Sequence, residues 1–363
     1  MPATKHWAGL LAAISLTVMA LCLVTPSLAF AHAADRFDDS TLRQLAARLH
    51  IHVGSAVSSS ALINDAQYAE ILGQQFSAIT PENEMKWASV EARRGVYTFG
   101  QADAEVRFAE QHDQLVRGHN LVWDSHLPNW LSGGTFSNQQ LTKILKKHIL
   151  TEVGHFRGEI WQWDVVNEPL NDDGTLKPTL WLNALGSNYI ADTLRWAHQA
   201  DPRAKLFLND YDIEGMGPKS NGMYALVKRL KMHGIPIDGV GFQAHLGLQL
   251  GLPPKVQENL QRFADLGLQV DITEMDVRMT LPPTPSLLAE QASWYAQLMQ
   301  DCIAVRSCVD FTVWEYTDKY SWIPAFFAGD GGGDLYDTSL NPKPAYGSLI
   351  NALANPVSAK YHS

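Results

Sequence analysis

Cysteine, positive charge and repetition are all scarce in this chain. Three cysteines occur in 363 residues and none stands in a C-x-x-C pair, so the cysteines supply no zinc site. Lys and Arg number 28 against 38 Asp and Glu, a formal net charge of −10. That deficit argues against nucleic acid or an anionic membrane as the main partner and suits a neutral one. No internal repeat, no long run of like charge and no Ser/Thr/Pro-rich linker interrupts the sequence, so no second, appended domain is expected. The Gly-rich turn that usually follows the first strand of an open doubly wound sheet is missing as well.

What is present begins with a leader. Lys5 and His6 precede an apolar stretch from Trp7 to Val24, and Ala31-His32-Ala33 fits a small-x-small cleavage pattern. Residues 1–33 therefore read as a secretory signal peptide, with Ala34 the first mature residue and a cut after Ala29 the second choice. An uncleaved membrane anchor is the alternative, because the stretch is long enough to span. Loss of residues 1–33 removes Cys22 and Lys5 and no acid, which takes the net charge from −10 to −11. Cys302 and Cys308 remain, an even pair in an exported protein and so a candidate disulfide. Two buried free thiols are the other reading. The mature form is expected to be a secreted monomer, extracellular or periplasmic, without membrane contact; residues 356–363 read as a tail.

Between these ends, short apolar runs alternate with helical patterns. Candidate strands occupy 52–57, 76–80, 114–123, 160–168, 205–210, 238–245, 268–276 and 308–316. Helical periodicity fills the gaps, as in LTKILKKHILTEV (141–153). Eight strand–helix repeats predict an α/β fold, a closed (β/α)8 TIM barrel forming one domain over residues 34–355. Seven of the eight runs end in or lead into polar or aromatic groups: Thr80-Pro81-Glu82-Asn83, His119 and Trp123, Asn167-Glu168, Asn209-Asp210-Tyr211, Gln243 and His245, Glu274 and Asp276, and Trp314. A barrel brings all of these to one face. The run GDGGGD (329–334) lacks the context and the Lys of a phosphate loop. It is expected to be a flexible rim loop, with a calcium site as the alternative.

Two members of that face carry the chemistry. Glu168 closes IWQWDVVNE and Glu274 stands in LQVDITEMD, about a hundred residues later. A carboxyl pair at a barrel mouth fits glycoside hydrolysis, in which one group protonates the leaving oxygen and the other attacks the anomeric carbon or activates water there. Glu168 is expected to be the acid, its pKa raised by packing among Trp161 and Trp163. Glu274 is expected to be the ionised nucleophile, held so by His245 and Asp276. Trp123, Trp314 and Trp322 offer flat faces for sugar rings. Glu82, Asn83, Lys86, His119, Asn167 and Gln243 offer hydrogen bonds to hydroxyls, and Tyr211 joins them by its place at a strand end.

The chain resembles the glycoside hydrolase family 10 endo-β-1,4-xylanases. The resemblance rests on TPENEMKW (80–87), RGHNLVW (117–123), WDVVNEP (163–169), NDYDIEG (209–215), GFQAHL (241–246), ITEMD (272–276), VWEYTDKYSW (313–322) and NPKPAYGSL (341–349), in order over about residues 50–350. It implies a (β/α)8 barrel, a retaining double displacement, no cofactor, and xylan or xylo-oligosaccharides as substrate. It implies Glu168 as acid/base, Glu274 as nucleophile and Asn167 on the 2-hydroxyl of the sugar being cleaved. Glu82, Asn83, Lys86 and His119 would hold the glycone side, Gln243 would lie near the cleavage point, and the peptide after His119 would be cis.

Three positions depart from the family pattern. Asp124 stands for a histidine, His126 for a glutamine that touches the second glycone sugar, and Glu315 for a glycine. If close to Glu274, Asp124 and Glu315 would raise its pKa, and pairing of either with His126 would compensate. Two other classes compete with a glycosidase. Glu274, Asp276 and His245 could ligate a divalent metal, although no ligand-spaced His pair supports them and Glu168 would then have no role. A catalytically dead carbohydrate-binding protein would lack one of the two glutamates, and both are present.

Overall fold

Apolar runs become strands and amphipathic stretches become helices in a computed structural model that describes residues 40–356. The leader at 1–33, with Cys22, and residues 357–363 of the tail lie outside the described residues. Ten strands are described: β1 (His52–Val57), β2 (Ala78–Pro81), β3 (Leu115–Gly118), β4 (Gln162–Asn167), β5 (Lys205–Asp210), β6 (Gly239–Phe242), β7 (His245–Gly247), β8 (Gln269–Thr280), β9 (Cys308–Val313) and β10 (Asp330–Gly331). Eight of them, β1 to β6 with β8 and β9, pair side by side and all in parallel. The ring closes where β9 returns to β1, with His52 opposite Asp310. This is the (β/α)8 barrel that the alternation predicts.

The helices between the strands start where side chains satisfy their free N–H groups. Thr41 and Gln44 cap each other's backbone ahead of Leu42–Arg48, as Ser137 and Gln140 do ahead of Asn138–His155. Thr284 caps Pro285–Ile303, whose first turn takes a proline. Leu145, Ile149 and Val153 of Asn138–His155 are fully buried, as are Trp163 and Val165 of β4. The Trp163 ring packs against β3 because Gly118 has no side chain; a Cβ there would stand 2.2 Å from the ring. Among the described residues no helix is long and apolar enough to cross a membrane.

Four strand ends differ from the sequence reading by three residues or more; one is β9, read to 316, which ends at Val313. β3 stops at Gly118, five residues early; beyond it Leu121 N donates to Asp164 O and Asn167 N donates to Val122 O, so the 121–122 stretch still bonds to β4. β6 ends at Phe242 and β7 starts at His245, because Ala244 turns left-handed (φ 59°) and its N–H goes to the Glu214 side chain. β8 runs on to Thr280, flanked by β7 in parallel and by β10 antiparallel.

The 329–334 run is not the loose rim loop expected of so many glycines. Asp330 and Gly331 pair with Thr280 and Met279. Gln291 and Lys343 both donate to Gly332 O, at 2.6 and 2.7 Å, and the Tyr295 hydroxyl donates to Gly333 O at 2.9 Å. Cys302, near the end of helix Pro285–Ile303, is disulfide-bonded to Cys308, the first residue of β9, with Cα atoms 5.3 Å apart.

The barrel interior is charged near the middle. Arg117, 1 % exposed, donates to Asp164, to Gln162 (2.6 Å) and to Asp271 (3.4 Å). Asp164 also bonds His119 (3.0 Å), so the buried cation is linked directly to the C-terminal face.

Candidate active site

Glu168 directly follows β4 in a left-handed turn (φ 54°), and its N–H is held by Asn209 O at 2.8 Å. Glu274 stands inside β8, with its N–H on Gln243 O at 3.0 Å. The two carboxyl groups belong to one hydrogen-bonded cluster. Asn209 Nδ2 donates to Glu274 Oε1 (2.6 Å) and to Asn167 Oδ1 (2.9 Å). Gln243 Nε2 donates to the same Asn167 oxygen (3.2 Å) and to Glu168 Oε1 (3.5 Å). Thr273 fixes the Asn209 amide by donating to its Oδ1 at 2.7 Å.

Glu274 faces two imidazoles. His245 bonds Glu274 Oε2 through Nε2 (3.1 Å) and Asp276 Oδ2 through Nδ1 (2.7 Å), while Trp322 Nε1 donates to that Asp276 oxygen at 2.8 Å. Burial opposes charge on His245, but the Asp276 carboxylate and the bonds to both acids outweigh it and raise its pKa to about 10. Burial likewise tends to raise the Glu274 carboxyl. His119, 3.9 Å away, and the His245 bond reverse the sign, and Glu274 ends below the usual carboxylate range. Glu274 is thus ionised while 4 % exposed. In the alternative metal set of Glu274, Asp276 and His245, both ring nitrogens of the imidazole are taken up by the two carboxylates, and among the described residues no group of three or more His, Cys, Asp or Glu is arranged to hold a metal ion.

The other expected groups line the same face. Lys86 is buried and donates to Asn83 at 3.0 Å. Its ammonium lies 5.1 Å from the Trp123 ring and 5.9 Å from the Trp314 ring. Burial pushes Lys86 down and Glu82 up, each against the other's charge. Trp314 stands edge-on to His119, and Trp322 edge-on to His245, at 5.0 and 4.9 Å. The His119–Asn120 peptide is cis. Tyr211 lies at the β5 end, with the Lys219 ammonium 3.0 Å from its ring centre.

Several expectations need correction. Trp161 and Trp163 do not surround Glu168. Trp161 packs against His52 at the start of β1, and Trp163 is buried near Phe156. What approaches Glu168 is Gln243 and the Lys177 ammonium, 3.5 Å from Oε2. Glu315 turns away from Glu274 to accept from Ser58 N and the Tyr68 hydroxyl, and Asp124 accepts from Leu180 N at 3.1 Å. His126 pairs with neither acid; it stacks on Trp123, centroids 4.4 Å apart. Partial burial, then the charges of Lys86 and His119, lower its pKa to about 4. Asn209, Asp164 and Lys177 were not assigned a role from sequence. Asn209 carried a signal, a polar group closing a strand next to Asp210 and Tyr211. Lys177 sits in a loop without periodicity and carried none.

A glycosyl hydrolase family 10 profile matches residues 41–352. An endo-1,4-beta-xylanase of Agaricus bisporus is 45 % identical over 302 residues, 83 % of this chain and 90 % of that protein. The crystal structure of xylanase 10B from Thermotoga petrophila in complex with xylobiose superposes with a TM-score of 0.84 at 41 % identity, covering 87 % of this chain and 97 % of that one. An endo-1,4-beta-xylanase of Penicillium canescens superposes with a TM-score of 0.85 at 35 % identity, covering 88 % and 98 %.

Proposed function

The chain belongs to glycosyl hydrolase family 10, and from that membership we propose that it is an exported endo-1,4-β-xylanase that cleaves internal β-1,4-xylosidic bonds by a retaining double displacement. The observation that carries the reading is the pair of carboxyls with different surroundings. Glu274 is locked between imidazoles that keep it ionised, whereas Glu168 lies at a strand exit beside Gln243 and Lys177. In the first step Glu168 gives its proton to the leaving glycosidic oxygen while a Glu274 oxygen attacks the anomeric carbon. The C–O bond breaks and an ester to Glu274 forms. In the second step Glu168 takes a proton from water, whose oxygen displaces Glu274 and regenerates both groups.

Asn167, fixed by Asn209 and Gln243, would hold the 2-hydroxyl of the sugar being cleaved. Glu82, Asn83, Lys86 and His119 would bind the glycone, with Trp123, Trp314, Trp322 and Tyr211 as walls and His126 extending the Trp123 face. Export rests on the 1–33 leader, and sequencing the N-terminus of the exported protein checks it, with Ala34 expected. Reducing-sugar release from xylan by the mature chain, beside Glu274→Ala, tests the activity. Short xylo-oligosaccharides from the wild type and a loss of about 10³-fold or more in the variant are expected. A folded wild type that releases nothing from xylan defeats the substrate assignment.

A further inference from the structure

Glu315 has no part in the reaction just described, yet it is fully buried at the edge of the site. Its backbone is left-handed (φ 65°), which is unfavourable for a residue with a Cβ. Hydrogen bonds from two distant residues converge on its carboxyl and offset that cost. Ser58 N donates to Oε1 at 2.9 Å, and the Tyr68 hydroxyl lies 3.0 Å from both oxygens. Ser58 and Tyr68 belong to the segment after β1, so the carboxyl stitches the exit of β9 to the exit of β1.

Each exit carries a group of the proposed sugar site. On the β9 side, Trp314 precedes Glu315 and stands edge-on to His119 (5.0 Å) and His245 (6.2 Å), the imidazoles that face Glu274. On the β1 side, Val57, next to Ser58, accepts the backbone N–H of Glu82 at 3.0 Å. Tyr68 is itself clamped, stacked on Tyr316 (4.8 Å) and accepting the Tyr316 hydroxyl on its carbonyl (2.9 Å). We propose that Glu315 is a positioning residue that fixes Trp314 and Glu82 as opposite walls of the glycone side of the cleft. The inference rests on the reading of this cleft as a xylan site. Burial and the nearby Glu82 charge hold the Glu315 carboxyl well above the usual range, so a neutral amide can replace it.

The test compares Glu315→Gly, which suits the backbone but removes the carboxyl, with Glu315→Gln, which keeps an acceptor. On a linear xylo-oligosaccharide, Glu315→Gly is expected to raise KM about tenfold with kcat within about threefold, and Glu315→Gln to stay within about threefold of wild type in both. The Trp314 indole N–H resonance, assigned with Trp314→Phe, moves in Glu315→Gly and stays in Glu315→Gln. If Glu315→Gly does not fold, Tyr68→Phe takes its place, with a KM rise of about threefold expected. An unmoved KM and Trp314 signal in Glu315→Gly, or in Tyr68→Phe where it stands in, overturns the proposal, as does equal impairment of the Gly and Gln variants. A wild type inert on xylo-oligosaccharides defeats the functional reading instead, and the Trp314 resonance then decides the inference alone.

Discussion

His245 reaches a carboxylate from each ring nitrogen, an arrangement in which the imidazolium donates twice. With its pKa near 10 it is a cation through the neutral range and holds Glu274 ionised. Removing it takes away a positive charge and a donor, so the Glu274 pKa rises. The acid limb of kcat/KM in His245→Asn is expected to move to higher pH by about one unit. A pH profile on an aryl xyloside checks this, and an unmoved acid limb refutes the coupling. The types of these residues were legible because a carboxylate or imidazole ending an apolar strand has few structural reasons to be there. Their partners were not. Asn209 bridges Glu274 and Asn167 from the neighbouring strand, a contact set by barrel register. Trp161 and Trp163 illustrate the converse error, since closeness in sequence to Glu168 placed them near the acid whereas strand direction carries them toward the other end of β4.

At the scale of elements, the link from helix Pro285–Ile303 to β9 is short and covalently closed by Cys302–Cys308. A loop of this length restricts the unfolded chain by only about 2 kcal/mol. Serine at both positions is expected to lower Tm by about 2–6 °C, read by calorimetry, and to leave xylan hydrolysis unchanged. Loss of activity at full folding would instead make the link a determinant of the site. Element types followed from hydrophobic period, but their ends did not. β6 breaks at Ala244 because Glu214 captures its N–H, and that break lets β7 bring His245 opposite Asp276. The glycine run at 329–334 looked loose because composition reports backbone freedom, whereas Gln291, Tyr295 and Lys343 supply bonds from far along the chain.

Over the whole molecule, buried carboxyls gather around Arg117 in the barrel. Burial, helped by the Asp271 charge, raises Asp310 above the usual carboxylate range, and burial raises Asp271 against the pull of Arg117, so the two titrate as a pair. Folded, these groups keep protons that the unfolded chain releases near the ordinary value of 3.8. Their stabilisation is therefore fully present below about pH 4 and is lost as pH rises from there through the raised folded values of the pair. Tm is expected to fall across that window, and Asp310→Asn to flatten the fall by about 5 °C. A variant with the wild-type slope would show that Asp310 is not the group titrating.

The sequence by itself determined the number and order of the eight barrel strands, the barrel class and the types of residue at its mouth. Periodicity and strand-end chemistry are local, and a closed parallel ring leaves one face for polar strand ends. Tertiary structure alone decided which mouth residues touch. It set Glu274 between His119 and His245, turned Glu315 toward Ser58 and Tyr68, and laid His126 on Trp123. Those pairings depend on strand register and loop path, fixed by contacts between residues up to 257 positions apart, which no local pattern records.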